Sequence, residues 1–141
     1  MGRSGYDEDY DCDSHVLNLY RANVDRSLAG KRGQTFLCEL VAALDALPQK
    51  ALIRNSFVEG EGVCALGAVA RMRGIQDRFV GIEVEDDSNV RYIAEIFDIA
   101  ECLAREIMFE NDEACFYVET DERRWERVYC WAVRNIKGEP S

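Results

Sequence analysis

The sequence predicts a mainly α-helical fold: a compact multi-helix domain of five to six helices, with a helix-turn-helix-like pair and room for a short β segment. Three observations carry this reading. Only two prolines occur, Pro48 and Pro140, so little interrupts helix propagation. Apolar residues recur mostly at i, i+3 and i+4 spacing, which places them on one helical face. The composition, 48% hydrophobic and 31% charged, suits a folded chain rather than a disordered or membrane-embedded one. The expected organisation is a flexible acidic arm over 1–13, a helical domain over 14–138 and a tail over 139–141.

Asp13 or Ser14 caps a first helix whose face carries Val16, Leu17, Tyr20, Val24 and Leu28, and Gly30 ends it. Lys31 and Arg32 then lie near the negative end of that helix's dipole. A second helix after Gly33 presents Phe36, Leu37, Leu40, Val41, Leu44 and Leu47 and is closed by Pro48. The short connection predicts an antiparallel pair. Leu52-Ile53 and Phe57-Val58 read as a short strand or an irregular link before the turn-like Glu59-Gly60-Glu61-Gly62. A third helix runs from Val63 to Met72 and stops at Gly74. Its stretch Gly62-Val-Cys-Ala-Leu-Gly-Ala-Val-Ala70 is small nearly throughout, as two closely crossing elements require. Phe79 to Val84 alternates weakly, giving a brief β segment. Asp87 or Ser88 starts a helix with Val90, Ile93, Ala94 and Phe97, followed closely by another with Cys102, Leu103, Ile107 and Met108. Thr120 or Asp121 starts the last helix, with Trp125, Val128, Tyr129, Ala132, Val133 and Ile136 on its apolar face.

The formal charge is −10, with 27 acidic against 17 basic residues and a single histidine, His15. The acid is concentrated: residues 1–13 carry net −4, 83–94 net −3 and 95–122 net −9, whereas 14–58 and 123–141 are each +3. Such a balance argues against phosphate-backbone binding, which needs a basic footprint, and favours a basic partner. The acidic start is unlike a secretory signal, and no stretch approaches the ~20 apolar residues of a membrane span. The expectation is a cytosolic protein. Cys12, Cys38, Cys64, Cys102, Cys115 and Cys130 are then expected as free structural thiols.

No metal or cofactor is expected. C-x-x-C is absent and His15 stands alone, so zinc spacings cannot be assembled. The acids lack the alternation and central glycine of an EF-hand. No G-x-S-x-G, H-E-x-x-H, P-loop or dinucleotide fingerprint occurs, so no enzyme is expected. The one catalytic alternative is Cys64, near a helix N-terminus, with His15 as its base. Gly30-Lys-Arg-Gly-Gln34 is the compact basic patch; it reads as a helix-to-helix turn, with phosphate contact as the alternative.

Ile93 to Ile107 follows the helix-turn-helix pattern, with Ala94 at the close approach and Ile99 as the apolar plug after the turn. Asp98 occupies the turn position where Gly is usual. The second helix would offer Glu101, Glu106 and Glu110 to phosphates, which opposes DNA readout. The densest acids, Glu110, Asp112, Glu113, Glu119, Asp121 and Glu122, are interleaved with Phe109, Phe116 and Tyr117. Such a stretch reads either as a loop between two helices whose aromatics seal the core, with Asp121 and Glu122 favouring the last helix's N-terminus, or as an acidic loop whose rings and carboxylates enter a channel built for nucleic acid. Together with Glu83, Glu85, Asp86, Asp87 and Glu106, these six form the candidate partner-binding set.

Three stretches carry a resemblance: Gly30-Lys-Arg-Gly-Gln-Thr-Phe-Leu-Cys-Glu-Leu continuing to Ala42-Ala-Leu-Asp-Ala-Leu-Pro48, Gly62-Val-Cys-Ala-Leu-Gly-Ala-Val, and Ala104-Arg-Glu-Ile-Met-Phe-Glu-Asn-Asp-Glu113. With the Arg3-Ser-Gly-Tyr-Asp start, they resemble a family of small proteins encoded by bacteriophages and prophages. The resemblance implies provenance rather than chemistry: a bacterial host cytosol, and a role in phage–host conflict or phage regulation. It transfers no catalytic residue, and Asp98 departs from the glycine common at that turn. The expectation is an acidic binding protein that inhibits a host nucleic-acid-handling or defence complex, anti-CRISPR-like, through contact with a basic nucleic-acid-binding surface. The alternative is a phage regulator using the helix-turn-helix-like unit as an adaptor, or binding DNA weakly through Lys31, Arg32 and the final-helix arginines.

Overall fold

Apolar periodicity becomes six helices and one small hairpin in the computed structural model, which describes residues 14–82, 87–114 and 118–137. The expected arm over 1–13 and tail over 139–141 lie outside the described residues. Helix α1 spans Ser14–Ala29 and α2 spans Lys31–Ala46, turning at Gly30, whose N–H donates to the Arg26 carbonyl at 2.9 Å. Val24, Leu28, Phe36, Leu37, Leu40 and Leu44 are buried at the spacing the sequence predicts. α2 starts two residues before Gly33, however, so Lys31 and Arg32 occupy its own first turn instead of trailing α1. Gly30 allows this by joining the helices without a linker.

The hairpin pairs β1 (Val58–Glu59) with β2 (Gly62–Val63), in the register Val58↔Val63 and Glu59↔Gly62. Gly60 takes the first central position with φ +61°, as a type II′ loop requires. Leu52-Ile53 is not a strand, although the Ile53 N–H donates to the Val63 carbonyl at 2.9 Å.

α3 (Ala65–Arg73) begins two residues later than Val63, with Cys64 as its N-cap and Gly74 at φ +77° as its C-cap. Its small residues serve a close approach: a Cβ on Gly67 would sit 2.1 Å from the Phe57 carbonyl oxygen. A 3-10 turn over Gln76–Phe79 follows. The extended run expected from Phe79 is not formed within the described residues. Phe79 instead turns into the core, 5.5 Å from Phe97 in a stacked pair, and Gly81 at φ +78° breaks the run. Phe36, Phe97, Phe79 and Phe57 form a continuous row of rings, each 5.5 Å from the next.

α4 (Asp87–Phe97) and α5 (Glu101–Asp112) enclose the predicted helix-turn-helix-like turn. Asp98 adopts the left-handed conformation, φ +57°, that glycine usually supplies, and Ile99 is buried after it. Short polar side chains tolerate that region better than most, and Arg32 reaches the Asp98 carboxylate at 3.1 Å. α6 (Asp121–Asn135) starts where predicted, with the Thr120 hydroxyl accepting from the Arg123 N–H at 3.1 Å. Trp131 joins Val128 and Ala132 in the core, whereas Val133, expected on the apolar face, is exposed. The buried residues form one contiguous core, within which α5 packs against α1, α3, α4 and α6.

Candidate interaction surface

The predicted acid set divides into carboxylates held inside the fold and carboxylates presented to solvent. Glu106 is 2% exposed and accepts from Arg21 Nη1 at 2.7 Å across α1 and α5. Glu110 follows one turn later. Burial, reinforced by the Glu106 charge, pushes its carboxyl up to about 7 against the opposing pull of Arg127, Arg134 and Arg21. Asp112 is buried and accepts from the Asn55 N–H at 3.0 Å and from Asn111 Nδ2 at 2.8 Å. Glu119 is grasped by Arg127 through Nε at 2.7 Å and Nη2 at 3.0 Å, and Arg124 approaches it at 3.4 Å. Arg124, itself buried, also donates to the Leu52 carbonyl and to Asp121, both at 2.8 Å.

These contacts take Glu106, Asp112 and Glu119 of the candidate set out of solvent. A buried carboxylate without a partner is severely destabilising, so the fold supplies an arginine or several N–H donors to Glu106, Asp112 and Glu119. Glu106 thereby joins α5 to α1, Asp112 joins α5 to the chain before the hairpin, and Glu119 ties the segment before α6 to Arg124 and Arg127 on that helix. Glu113 is half-buried, whereas Asp121 and Glu122 are exposed at the start of α6. Glu83, Glu85 and Asp86 lie outside the described residues, and Asp87 is the first residue of α4.

The exposed acids that share one region of the surface gather around the hairpin. Its loop, with Glu59 and Glu61 exposed, stands between two clefts. The first, about 410 Å³, is walled by Leu47, Pro48, Ile53, Glu61, Arg71 and Asp121. Its charge is mixed, because Arg71 is fixed there by the Glu61 carbonyl at 2.8 Å and Gln76 at 2.9 Å. The second, about 620 Å³, has an apolar wall of Phe57, Val58, Phe79, Val80 and Ile82, with Glu59 and Asp77 as its ionisable lining. Among the described residues no lysine or arginine lines it. Glu59, Glu61 and Asp77 were absent from the sequence-predicted set. The Glu-Gly-Glu-Gly turn was the available signal for the first two.

The basic turn at Gly30–Gly33, with Arg26, borders a hollow of about 260 Å³ closed by Ala100 and Leu103. Cys64 is 1% exposed, and its sulfur faces the Gly67 N–H at 3.5 Å as a helix cap, so no substrate reaches it in this arrangement. His15 lies in the first turn of α1. Eight of the twelve residues of α5 are buried, including Leu103, Ile107 and Met108. The helix packs against α1, α3, α4 and α6, which leaves Glu101, Cys102, Arg105 and Glu110 half-buried on its outer side. Among the described residues there is no cluster of metal-ligating side chains, and no helix is long and apolar enough to cross a membrane.

Comparison with protein-family models, with curated proteins and with solved structures found no match. The structure itself defines a mainly helical protein with an acidic hairpin and two flanking clefts.

Proposed function

We propose that this protein is an acidic binding protein that occupies a basic, nucleic-acid-handling surface of a host complex and thereby inhibits it, in the manner of an anti-CRISPR or related anti-defence protein. The observation that carries the reading is the grouping of Glu59, Glu61, Asp77 and Asp121 around the hairpin clefts, in a chain of net charge −10. Such a surface steers a Lys/Arg-rich partner and accelerates encounter. Several arginines are engaged with internal acids, among them Arg21 with Glu106, and Arg124 and Arg127 with Glu119. They therefore offset little of the outward field. Direct nucleic-acid binding is disfavoured by the same charge and by the burial of α5. The resemblance to phage and prophage proteins supports a bacterial host cytosol as the setting. No catalytic or cofactor chemistry is part of this reading.

The test uses the tagged protein on nuclease-treated host extract at low salt, with captured complexes assayed for nucleic-acid binding. Capture of a nucleic-acid-processing complex is expected to fall about tenfold between low and physiological salt, and to be competed by DNA. The combined substitutions Glu59→Gln, Glu61→Gln and Asp77→Asn, all at exposed positions of the clefts, are expected to abolish it while leaving the circular dichroism unchanged. Full capture by that folded variant would refute the proposal. Neutralising Asp112 or Glu119 instead would confound the result, since both hold the interior together.

A further inference from the structure

Hairpin geometry fixes where the unused backbone groups of β1 point. The Cys64 N–H donates to the Phe57 carbonyl at 3.0 Å, so 57 and 64 form a hydrogen-bonded pair. Along an antiparallel ladder, bonded and non-bonded pairs alternate. Val58 and Val63 are therefore the non-bonded pair, and their N–H and C=O groups face away from each other's strand. Val63 bears this out: its outward carbonyl accepts from the Ile53 N–H on the far side. By the same alternation, the Val58 N–H and C=O face outward from β1. Among the described residues no strand pairs with that edge, and Val58 lines the 620 Å³ cleft.

We propose that this edge and cleft form a docking site for an extended, basic segment of the partner, which adds beside β1 as a further strand. The inference rests on the function proposed above and locates its contact. Edge addition supplies affinity through main-chain hydrogen bonds and specificity through alternate side chains. Here the two halves of that specificity are both present. Val80, 61% exposed, and the cleft's apolar wall receive every second residue of the incoming strand. Glu59 and Asp77 receive the Lys or Arg residues between them. A second copy of this chain would bring the same carboxylates against these and is electrostatically disfavoured.

The test uses the full chain, nitrogen-15 labelled, with an acetylated and amidated heptapeptide alternating valine with arginine and lysine. Binding is expected to shift the amides of residues 56–60 and 79–82 and to slow exchange of the Val58 amide at least about tenfold. A matching valine–glutamate peptide is expected not to bind. Val58→Pro removes the outward donor without touching the bonds to β2, as proline on an open edge allows, and is expected to weaken the peptide about fivefold. Glu59→Lys with Asp77→Lys, both at exposed positions, gives an independent variant expected to reject the basic peptide and admit the acidic one. Unchanged Val58 exchange at saturating peptide overturns the proposal. So does a Val58 amide already protected in the free protein, which would mean that the chain's own segment or a second copy covers the edge; light scattering separates those two.

Failure here and failure of the proposed function remain distinguishable. Salt-sensitive partner capture that survives both the Val58 and the charge-reversal variants refutes the docking edge alone. Peptide protection of Val58 without a salt-sensitive partner refutes the inhibitory function alone.

Discussion

Asn111→Leu is the substitution that most directly tests how the fold holds its hairpin in place. Asn111 is 0% exposed on α5 and spans three elements. Its Oδ1 accepts from the Ala65 N–H at 3.0 Å, and its Nδ2 donates to the Ile53 carbonyl at 2.9 Å and to Asp112 at 2.8 Å. Leucine has nearly the same volume, so the change removes hydrogen bonds with little cavity. The Ala65 N–H is then left without its acceptor in a fully buried site, and the half-buried Ile53 carbonyl loses its donor. Each orphaned group costs about 1–3 kcal/mol, and the Asp112 carboxylate also loses one donor. The expected loss is about 3 kcal/mol. For a chain of this size that lowers the melting temperature by about 10 °C. Urea unfolding followed by circular dichroism measures it, with Asn111→Asp as a companion. Aspartate keeps the acceptor for Ala65 but places a second charge against Asp112, so at neutral pH it is expected to be at least as damaging. A loss below about 0.5 kcal/mol for Asn111→Leu would refute the claim that this side chain ties α5 to the segments flanking the hairpin.

Two further predictions follow from the same interior. Because Glu110 keeps its proton to about pH 7 when folded but only to about 4.5 when unfolded, the folded state holds more protons between those values. Its contribution is therefore fully present below about pH 4.5 and is lost as pH rises through about 7, a change on the order of 2 kcal/mol after allowing for partial solvent screening. Urea midpoints at pH 5 and pH 8 should reveal it, and Glu110→Gln should flatten the difference; an unaltered difference would count against the assignment. Gly67→Ala would drive a methyl to 2.1 Å from the Phe57 carbonyl oxygen and is expected to cost about 3 kcal/mol. Gly60→Ala meets no atom within 4 Å, and its positive φ alone should cost about 1 kcal/mol. Equal denaturation midpoints for the two glycine variants would show that the close approach is not rigid.

Much of the helical frame was legible because its signals are local. Thr120 caps α6, Pro48 follows α2, and Gly74 closes α3, each through chemistry confined to a few residues. The start of α2 was misread because a glycine inside the first turn looks like a stop; tertiary packing overrides that propensity at Gly33. The expected strand at Phe79 failed for a related reason. Its alternating pattern is weak, and the ring instead completes a row of phenylalanines drawn from distant segments.

The candidate site was legible only in part. A surplus of acid between 95 and 122 is visible in the sequence, but its division into interior and surface is not. Glu106 is paired with Arg21, 85 residues earlier, and Asp112 accepts from the Asn55 N–H, 57 residues earlier. Nothing in a local window separates these acids from Asp121 and Glu122, which stay outside. The open edge of β1 likewise depends on a register set by one turn and on the arrival of Ile53 at the opposite edge. Sequence by itself determined the helical class, most element boundaries and the charge, because periodicity, caps and composition act over a few residues. Tertiary structure decided which carboxylates are structural and which are presented, because the free energy of a charge is set by its solvation and its partners in space.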